Sequence, residues 1–334
     1  MLGLWLGKSR QYIAAQTQMG QCLLKNRLKS ADALFTYACE LFEQSKESPC
    51  SITLLLRDEL SIIKKRSSKQ EWSEIIDHSH KHCLFTIYQQ DPICFRAHTR
   101  PRGYSGDAAL LDMIYRRSWR GIDSRNITKC GSELFNCIVN CFAPEGVRQR
   151  VILLGDWIDK LLKHHSSPRL LSVACGHLEE LNRSHLWSTK NSVLLDAVDQ
   201  DERTLEEIGL RFNRSQINPR NASIRTLFSR KALVDSYCGV YVTGLYDYLD
   251  DQIAKRLTKI LFNKLRPGGT LLVANFHKSM PDAGFMDTLM DWKLIYRDEE
   301  DMLSLCADIP HIGEQEMYLD HTGCVVLLEL RKPS

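Results

Sequence analysis

Along the first half of the chain, apolar residues recur every three to four positions. Between residues 24 and 42, Leu24, Leu28, Ala31, Phe35, Ala38 and Phe42 fall on one helical stripe, and residues 52–64 keep the same rhythm. The polar run Arg66-Ser67-Ser68-Lys69 breaks it. Gly103-Tyr104-Ser105-Gly106 reads as a turn, and residues 107–115 resume a helix. Residues 130–141 read as helix core.

After Ser166-Ser167-Pro168 the pattern changes. Short apolar runs at 170–174, 192–198, 239–243, 270–275 and 324–330 alternate with helical patterns. That alternation predicts a parallel sheet with helices on both faces. In the helix predicted at 250–265, Leu249, Ile253, Leu257, Ile260, Leu261 and Leu265 form one stripe. Asp250 and Asp251 suit the positive end of its dipole, and Lys264 and Arg266 the negative end. Pro267-Gly268-Gly269 then ends the helix and turns the chain into the next strand. Residues 316–320 and 324–330 flank His321-Thr322-Gly323 as a hairpin, which makes one sheet edge antiparallel. The expected fold class is α/β. A helical N-terminal region covers residues 1–165, and a Rossmann-like sheet with a C-terminal antiparallel hairpin covers 166–334.

Composition narrows this picture only slightly. The 334 residues suffice for one large or two ordinary domains, and 43% hydrophobic with 25% charged residues describes a soluble globular chain. No apolar run approaches the ~18 residues of a membrane span, so no stable membrane insertion is expected. The apolar start, Met1 to Lys8 (MLGLWLGK), is too short for a secretory signal and lacks a basic leading segment; a buried strand is its simplest reading. The 12 scattered cysteines then predict free thiols in a reducing cytoplasm. His78, His80, His82 and Cys83 (HSHKHC) invite a metal, with His78 and His82 on one helical face. No further Cys/His pair completes a four-ligand set nearby, so no metal is expected. A net charge of +3 demands no polyanion partner. Locally, Arg96, Arg100, Arg102, Arg116, Arg117, Arg120 and Arg125 stand against Asp107, Asp112 and Asp123. This is either a solvated helix face or a docking patch for an anionic substrate or its carrier.

The chemistry begins at the first apolar run of the sheet. The run 170–174 leads into Cys175-Gly176, where a small residue lets the backbone approach a ligand. The second run ends in Asp199, 23 residues beyond Gly176, near the offset of about 20 at which an acid meets a ribose hydroxyl. After a weaker strand near 217–222, Ser223 and Ile224 stand where an adenine edge would lie. The fourth run ends in Gly244-Leu245-Tyr246-Asp247, at the carboxyl edge where open α/β sheets bind ligands. The first turn is not G-x-G-x-x-G. Ala174 and Leu178 occupy places where glycines would admit a pyrophosphate, so a ligand without phosphates is favoured. S-adenosylmethionine is such a ligand.

Beyond this, the sequence resembles the class I methyltransferases, and within them the bacterial 3-hydroxypalmitic acid methyl ester biosynthesis proteins, which make a quorum-sensing signal. The stretches that carry the resemblance are Asp91-Pro92 with RPRGYSGD from Arg100 to Asp107, VACGHLEEL from Val173, AVDQD from Ala197, TGLYDYLDD from Thr243 and MDWKLIYRDEED from Met290. RPRGYSGD and TGLYDYL are the specific ones. His177-Leu178-Glu179 departs from the family pattern. The resemblance implies S-adenosylmethionine held by Tyr104, Asp107, Ala174, Cys175, Gly176, Glu180, Asp199, Gln200, Ser223, Ile224, Gly244 and Leu245, with Glu180 at the ligand's ammonium. It implies Tyr104 or Tyr246 orienting a carboxylate acceptor, and Arg102, Tyr248, Trp292 and Tyr296 meeting the substrate. That substrate would be an anionic 3-hydroxy fatty acid or its carrier-protein thioester. Two alternatives stand beside it: a methyltransferase for another small metabolite, and a non-catalytic S-adenosylmethionine-binding regulator. A nucleic-acid substrate is disfavoured, because the basic stretch is short and has no interleaved aromatic stripe.

Overall fold

The computed structural model describes residues 31–45, 47–189, 192–212, 215–228, 233 and 236–334. The apolar start at residues 1–8, and Leu24 and Leu28 of the first helical stripe, lie outside them.

The described part of the N-terminal region is helical, as its apolar rhythm predicts: α1 (Ala31–Gln44), α2 (Pro49–Arg66), α3 (Lys69–Ser79), α4 (Cys83–Tyr88), α5 (Pro92–Thr99), α6 (Ala108–Arg116), α7 (Lys129–Ile138) and α8 (Phe142–His164). The polar break after α2 works as a double cap. Ser67 ends α2, and Ser68 starts α3 through a capping box with Glu71. The HSHKHC run therefore does not lie on one helix: α3 stops at Ser79, and His82 caps α4. Two further expectations are corrected here. Cys50 and Cys137 are joined as a disulfide, because packing of α2 on α7 brings their Cα atoms to 5.2 Å. The arginine-rich stretch is largely paired with acids of the chain itself. Arg96, Arg100, Arg102, Arg116, Arg117 and Arg125 each hold a carboxylate of this chain.

The second half forms a seven-stranded sheet in the order β3-β2-β1-β4-β5-β7-β6. The strands are β1 (Arg169–Val173), β2 (Leu194–Asp199), β3 (Ile217–Asn221), β4 (Tyr237–Val242), β5 (Leu265–Phe276), β6 (Glu314–Leu319) and β7 (Val325–Arg331). The first five run parallel, while β7 lies antiparallel between β5 and β6. The expected Rossmann-like sheet with a C-terminal antiparallel hairpin is therefore what the chain adopts. Between strands lie α9 (Glu202–Arg211), α10 (Ile224–Leu227), α11 (Asp251–Asn263), α12 (Ala283–Leu289) and α13 (Glu299–Ser304).

Two apolar layers sandwich the sheet, and alternation along each strand sorts side chains between them. Leu170, Leu272, Ala274 and Leu327 face the N-terminal helices; Leu171, Val173, Leu271, Val273 and Leu328 face α11 and α13. Burial on both faces explains why these strands read as continuous apolar runs. One boundary differs from expectation. Pro267-Gly268-Gly269 does not precede β5 but lies inside it. The pairing of β4 with β5 shifts register between Tyr237 and Gly239, and Gly268 takes a positive φ of 71°. Among the described residues no helix is long and apolar enough to cross a membrane.

Candidate functional site

The loop after β1 sets the site. Ala174, Gly176 and Leu178 all take left-handed backbone angles, with φ of 52°, 53° and 56°. Glycine does this freely, whereas Ala174 and Leu178 do so at a cost of about 1 kcal/mol each. The backbone thus follows a glycine-rich course although side chains stand where glycines were expected. The odd segment His177-Leu178-Glu179 also finds its place. His177 is buried between α6 and α9, its Nδ1 3.1 Å from Asp112 and its Nε2 3.4 Å from Glu207. Burial works against ionisation of Asp112, but His177 and Arg211 beside it outweigh that and bring its carboxyl down to about 2.

Asp199 closes β2 and ties this loop to it. Its Oδ2 accepts from the Gly176 amide at 3.1 Å and its Oδ1 from the Asp201 amide at 3.0 Å, with 5% of the residue exposed. Burial raises its carboxyl above the ordinary range. The loop after β4 is held from beneath. Asp247 accepts from the Phe276 amide at 2.7 Å. The buried Arg297 guanidinium donates to the Tyr246 and Leu249 carbonyls at 2.8 and 2.6 Å.

Across these strand ends lies the Arg100–Asp107 loop. Arg100 binds Asp291, and Arg102 binds Asp201, Thr204 and Glu207 at 2.9 Å each. Asp107 caps α6 through the Leu110 amide and accepts from Arg96. A cleft of about 260 Å³ is enclosed between loop and sheet. Of the residues predicted for the site, it is lined by Tyr104, Ala174, Gly176, Asp199, Gln200, Ile224, Gly244, Leu245 and Tyr248.

A smaller recess of about 40 Å³ adjoins the cleft and shares Ala174, Gly176 and Gly244 with it. Cys175, Glu180, Tyr241 and Arg150 line it. The Tyr241 hydroxyl donates to Glu180 at 2.9 Å, and burial pushes the Glu180 carboxyl up to about 7. Arg150 reaches in from α8; it is 5% exposed, and its Nη1 is buried without a hydrogen-bond partner. A carboxyl and a guanidinium with an unpartnered Nη1 therefore meet one recess adjoining the cleft.

Several predicted residues sit elsewhere, which corrects their roles. Tyr246 points into the core, its hydroxyl on Thr258 at 2.8 Å, and does not reach the cleft. Asp107 caps a helix and Arg102 is paired with Asp201 and Glu207, and neither lines the cleft. Ser223 caps α10 between the lining residues Ala222 and Ile224. Trp292 donates its Nε1 to the Tyr248 hydroxyl at 2.8 Å and stands behind it. Tyr296 is partly buried outside the cleft, with Lys64 Nζ 4.7 Å from its ring centre. Sequence reasoning missed Arg150 and Tyr241. The signal for Arg150 was a cation on the same helical face as Val147, Val151 and Leu154.

Buried acids also set a pH response. Burial pushes Asp91 and Glu180 up to about 7, and Asp247 and Asp282 to about 6. A carboxyl raised on folding contributes stability that is complete below its unfolded value, about 4, and is lost as pH rises through the folded value. The ligand-free chain will therefore melt at progressively lower temperature from pH 5 to pH 8. Glu180→Gln will remove about 2 kcal/mol of that loss, visible as a shallower dependence of Tm on pH in calorimetry.

No family model matches the sequence, and no curated protein matches it. Solved structures do resemble it. A possible exported protein from Bordetella parapertussis superposes with a TM-score of 0.56 at 16% identity, over 68% of this chain and 80% of that one. This likeness concerns the fold. Two looser overlaps are with the methyltransferase SibL in its apo form (TM-score 0.48, 12% identity, 75% of this chain and 73% of that one) and with magnesium protoporphyrin IX methyltransferase from Synechocystis with bound SAM (0.42, 14%, 68% and 97%). They carry no weight beyond that.

Proposed function

We propose that this chain is an S-adenosylmethionine-dependent carboxyl O-methyltransferase whose acceptor is an anionic 3-hydroxy fatty acid, taken free or from a carrier, as in the making of a methyl-ester signal. The observation that carries the reading is that Arg150 and Glu180 both line one buried recess adjoining the cleft that Asp199 lines. A ligand that fits has a diol, an α-amino acid end and no phosphate. Asp199 suits the ribose hydroxyls, Glu180 the ammonium and Arg150 the carboxylate. The Ala174 and Leu178 side chains crowd the turn where a pyrophosphate would need glycine. Fold alone would not select this chemistry, since one fold serves many reactions.

The acceptor side draws support from an apolar crevice behind Trp292, walled by Ile93, Ile114, Ile138, Val147, Phe285 and Met286. Trp292 on its wall bonds Tyr248, which lines the cleft. Gly106 must be glycine for that pair to pack: a Cβ there would meet the Tyr248 hydroxyl at 2.5 Å and Trp292 at 2.6 Å. The crevice is closed to about 20 Å³, so an acyl chain enters as Trp292, Met286 and Met290 shift. Methionine is suited to such repacking.

When bound, S-adenosylmethionine supplies an electrophilic methyl group on its sulfonium. A carboxylate acceptor is already ionised at pH 7, so no side chain need act as base. Burial raises the Tyr104 hydroxyl well above its usual range, so it keeps its proton and can donate to one acceptor oxygen. The Arg100–Asp107 loop excludes water and fixes the angle of approach.

The test is incubation of the purified protein with methyl-labelled cofactor and a panel of 3-hydroxy acids, other acids, phenols and amines. Labelled methyl esters of 3-hydroxy fatty acids are expected by mass spectrometry. Label on a phenol or amine would replace the acceptor. Cofactor binding with no transfer to the panel or to any fraction of a cell extract would make the protein a non-catalytic binder.

A further inference from the structure

We infer that Cys39 and Cys83 are a redox-active thiol pair, oxidised to a disulfide by a small-molecule disulfide such as glutathione disulfide, so that α1 becomes tied to α4. The two side chains come from positions 44 residues apart, yet their sulfurs lie 2.8 Å from each other. Their surroundings differ in the way an attacking and a resolving cysteine differ. Cys83 is exposed and Cys39 is buried. Burial and the adjacent Cys83 push the Cys39 thiol up to about 12, so it stays protonated while Cys83 meets the oxidant. His82 Nδ1 stands 3.7 Å from the Cys83 sulfur. Burial lowers the His82 imidazole's affinity for a proton, so it is neutral at pH 7 and sets no cation beside the thiol.

The same three side chains could suggest a zinc site, and the geometry argues against it. Two sulfurs on one tetrahedral zinc stand about 3.7 Å apart, given Zn–S bonds of about 2.3 Å. Here they are closer by nearly an ångström. The Nδ1 lone pair of His82 is also engaged, accepting from the Leu84 amide at 3.1 Å as the cap of α4.

The exchange balances with glutathione disulfide as the oxidant. The Cys83 thiolate, its proton given to solvent, attacks one sulfur of glutathione disulfide. A Cys83–glutathione bond forms, the glutathione S–S bond breaks, and one glutathione leaves as thiolate to take up a proton. The Cys39 sulfur, losing its proton, then attacks Cys83; the Cys39–Cys83 bond forms and the second glutathione leaves. Two electrons pass from the protein dithiol to the oxidant.

The tie would act on the wall of the apolar crevice. At the far end of α4, the Tyr88 hydroxyl bonds Thr53 at 2.9 Å and its ring meets Phe285 edge-on at 5.2 Å. Thr53 and Phe285 both line the crevice. An effect on turnover rests on the proposed acceptor reading; formation of the disulfide does not.

The experiment equilibrates the full chain in glutathione buffers of increasing oxidised fraction, traps free thiols with an alkylating agent and maps peptides by mass spectrometry. A Cys39–Cys83 linked peptide is expected, separate from Cys50–Cys137, with Tm raised by several degrees. It should vanish in Cys83→Ser and in Cys39→Ala, the former folding normally because Cys83 is exposed. Three results would overturn the inference. The first is both cysteines still alkylated at the most oxidising ratio. The second is Cys83 halted as a glutathione adduct. The third is added zinc binding stoichiometrically and protecting both thiols, which would make the cluster a metal site.

Discussion

Arg150→Met will lower the affinity for S-adenosylmethionine by about 100-fold while changing the affinity for 5′-methylthioadenosine by no more than about twofold. The two ligands share adenine and ribose, but only the first carries the amino acid end. Arg150 is a buried cation whose Nη1 lacks a hydrogen-bond partner. Loss of one member of a desolvated, hydrogen-bonded ion pair typically costs 2–5 kcal/mol, and 100-fold corresponds to about 2.7 kcal/mol. The same change relieves the ligand-free protein of a buried cation whose Nη1 has no hydrogen-bond partner, so its Tm should hold or rise. A drop in affinity therefore cannot be put down to unfolding. Calorimetric titration with both ligands decides the matter: equal losses, or none, would remove Arg150 from the carboxylate.

Asp199→Ala should give the complementary result. Both ligands carry the ribose, so both should weaken by about 100-fold, as expected when two hydrogen bonds to a charged group are lost at about 1.5 kcal/mol each. The substitution also releases the Gly176 and Asp201 amides that Asp199 now holds. Water can replace it there, and the buried, raised carboxyl is removed along with its desolvation cost, so the fold should stand. Retention of affinity for either ligand would take Asp199 out of the ribose role. Used as a pair, the variants separate the two ends of the cleft: Arg150 divides the ligands and Asp199 does not.

Why some of this could be read from the sequence and some could not is a matter of range. The apolar runs that become β1, β2, β4, β5 and β7 are buried on both faces, so each announces itself locally. Asp199 was legible because a charge at the end of such a run needs a reason. The placing of β7 between β5 and β6 was not legible, because strand order is set by packing across the whole sheet. Pro267-Gly268-Gly269 read as a helix stop; it lies inside β5 because the partner strand shifts register there. Arg102 read as a free cation near an anion site, but its partners Asp201 and Glu207 lie about a hundred positions away. Tyr246 sits in a motif of the cleft, yet its ring turns inward to Thr258, a choice made by the helix that follows. Arg150 left a trace, a charge on an apolar stripe, that becomes telling only once the recess is seen.

The recess draws its cation from α8 and its carboxyl from the turn after β1, on opposite sides of the boundary at residue 165. On the methyltransferase reading proposed above, this has a bearing on how the chain could be inherited or rebuilt. The helical half cannot be handled as an interchangeable cassette that contributes acceptor choice alone. A graft that joined the sheet to a different leading region would need a guanidinium at the position of Arg150, or would start life with a weakened hold on its methyl donor. Diversification of the acceptor should then proceed by substitutions within α2, α5 and α7 around the crevice, leaving α8 in place.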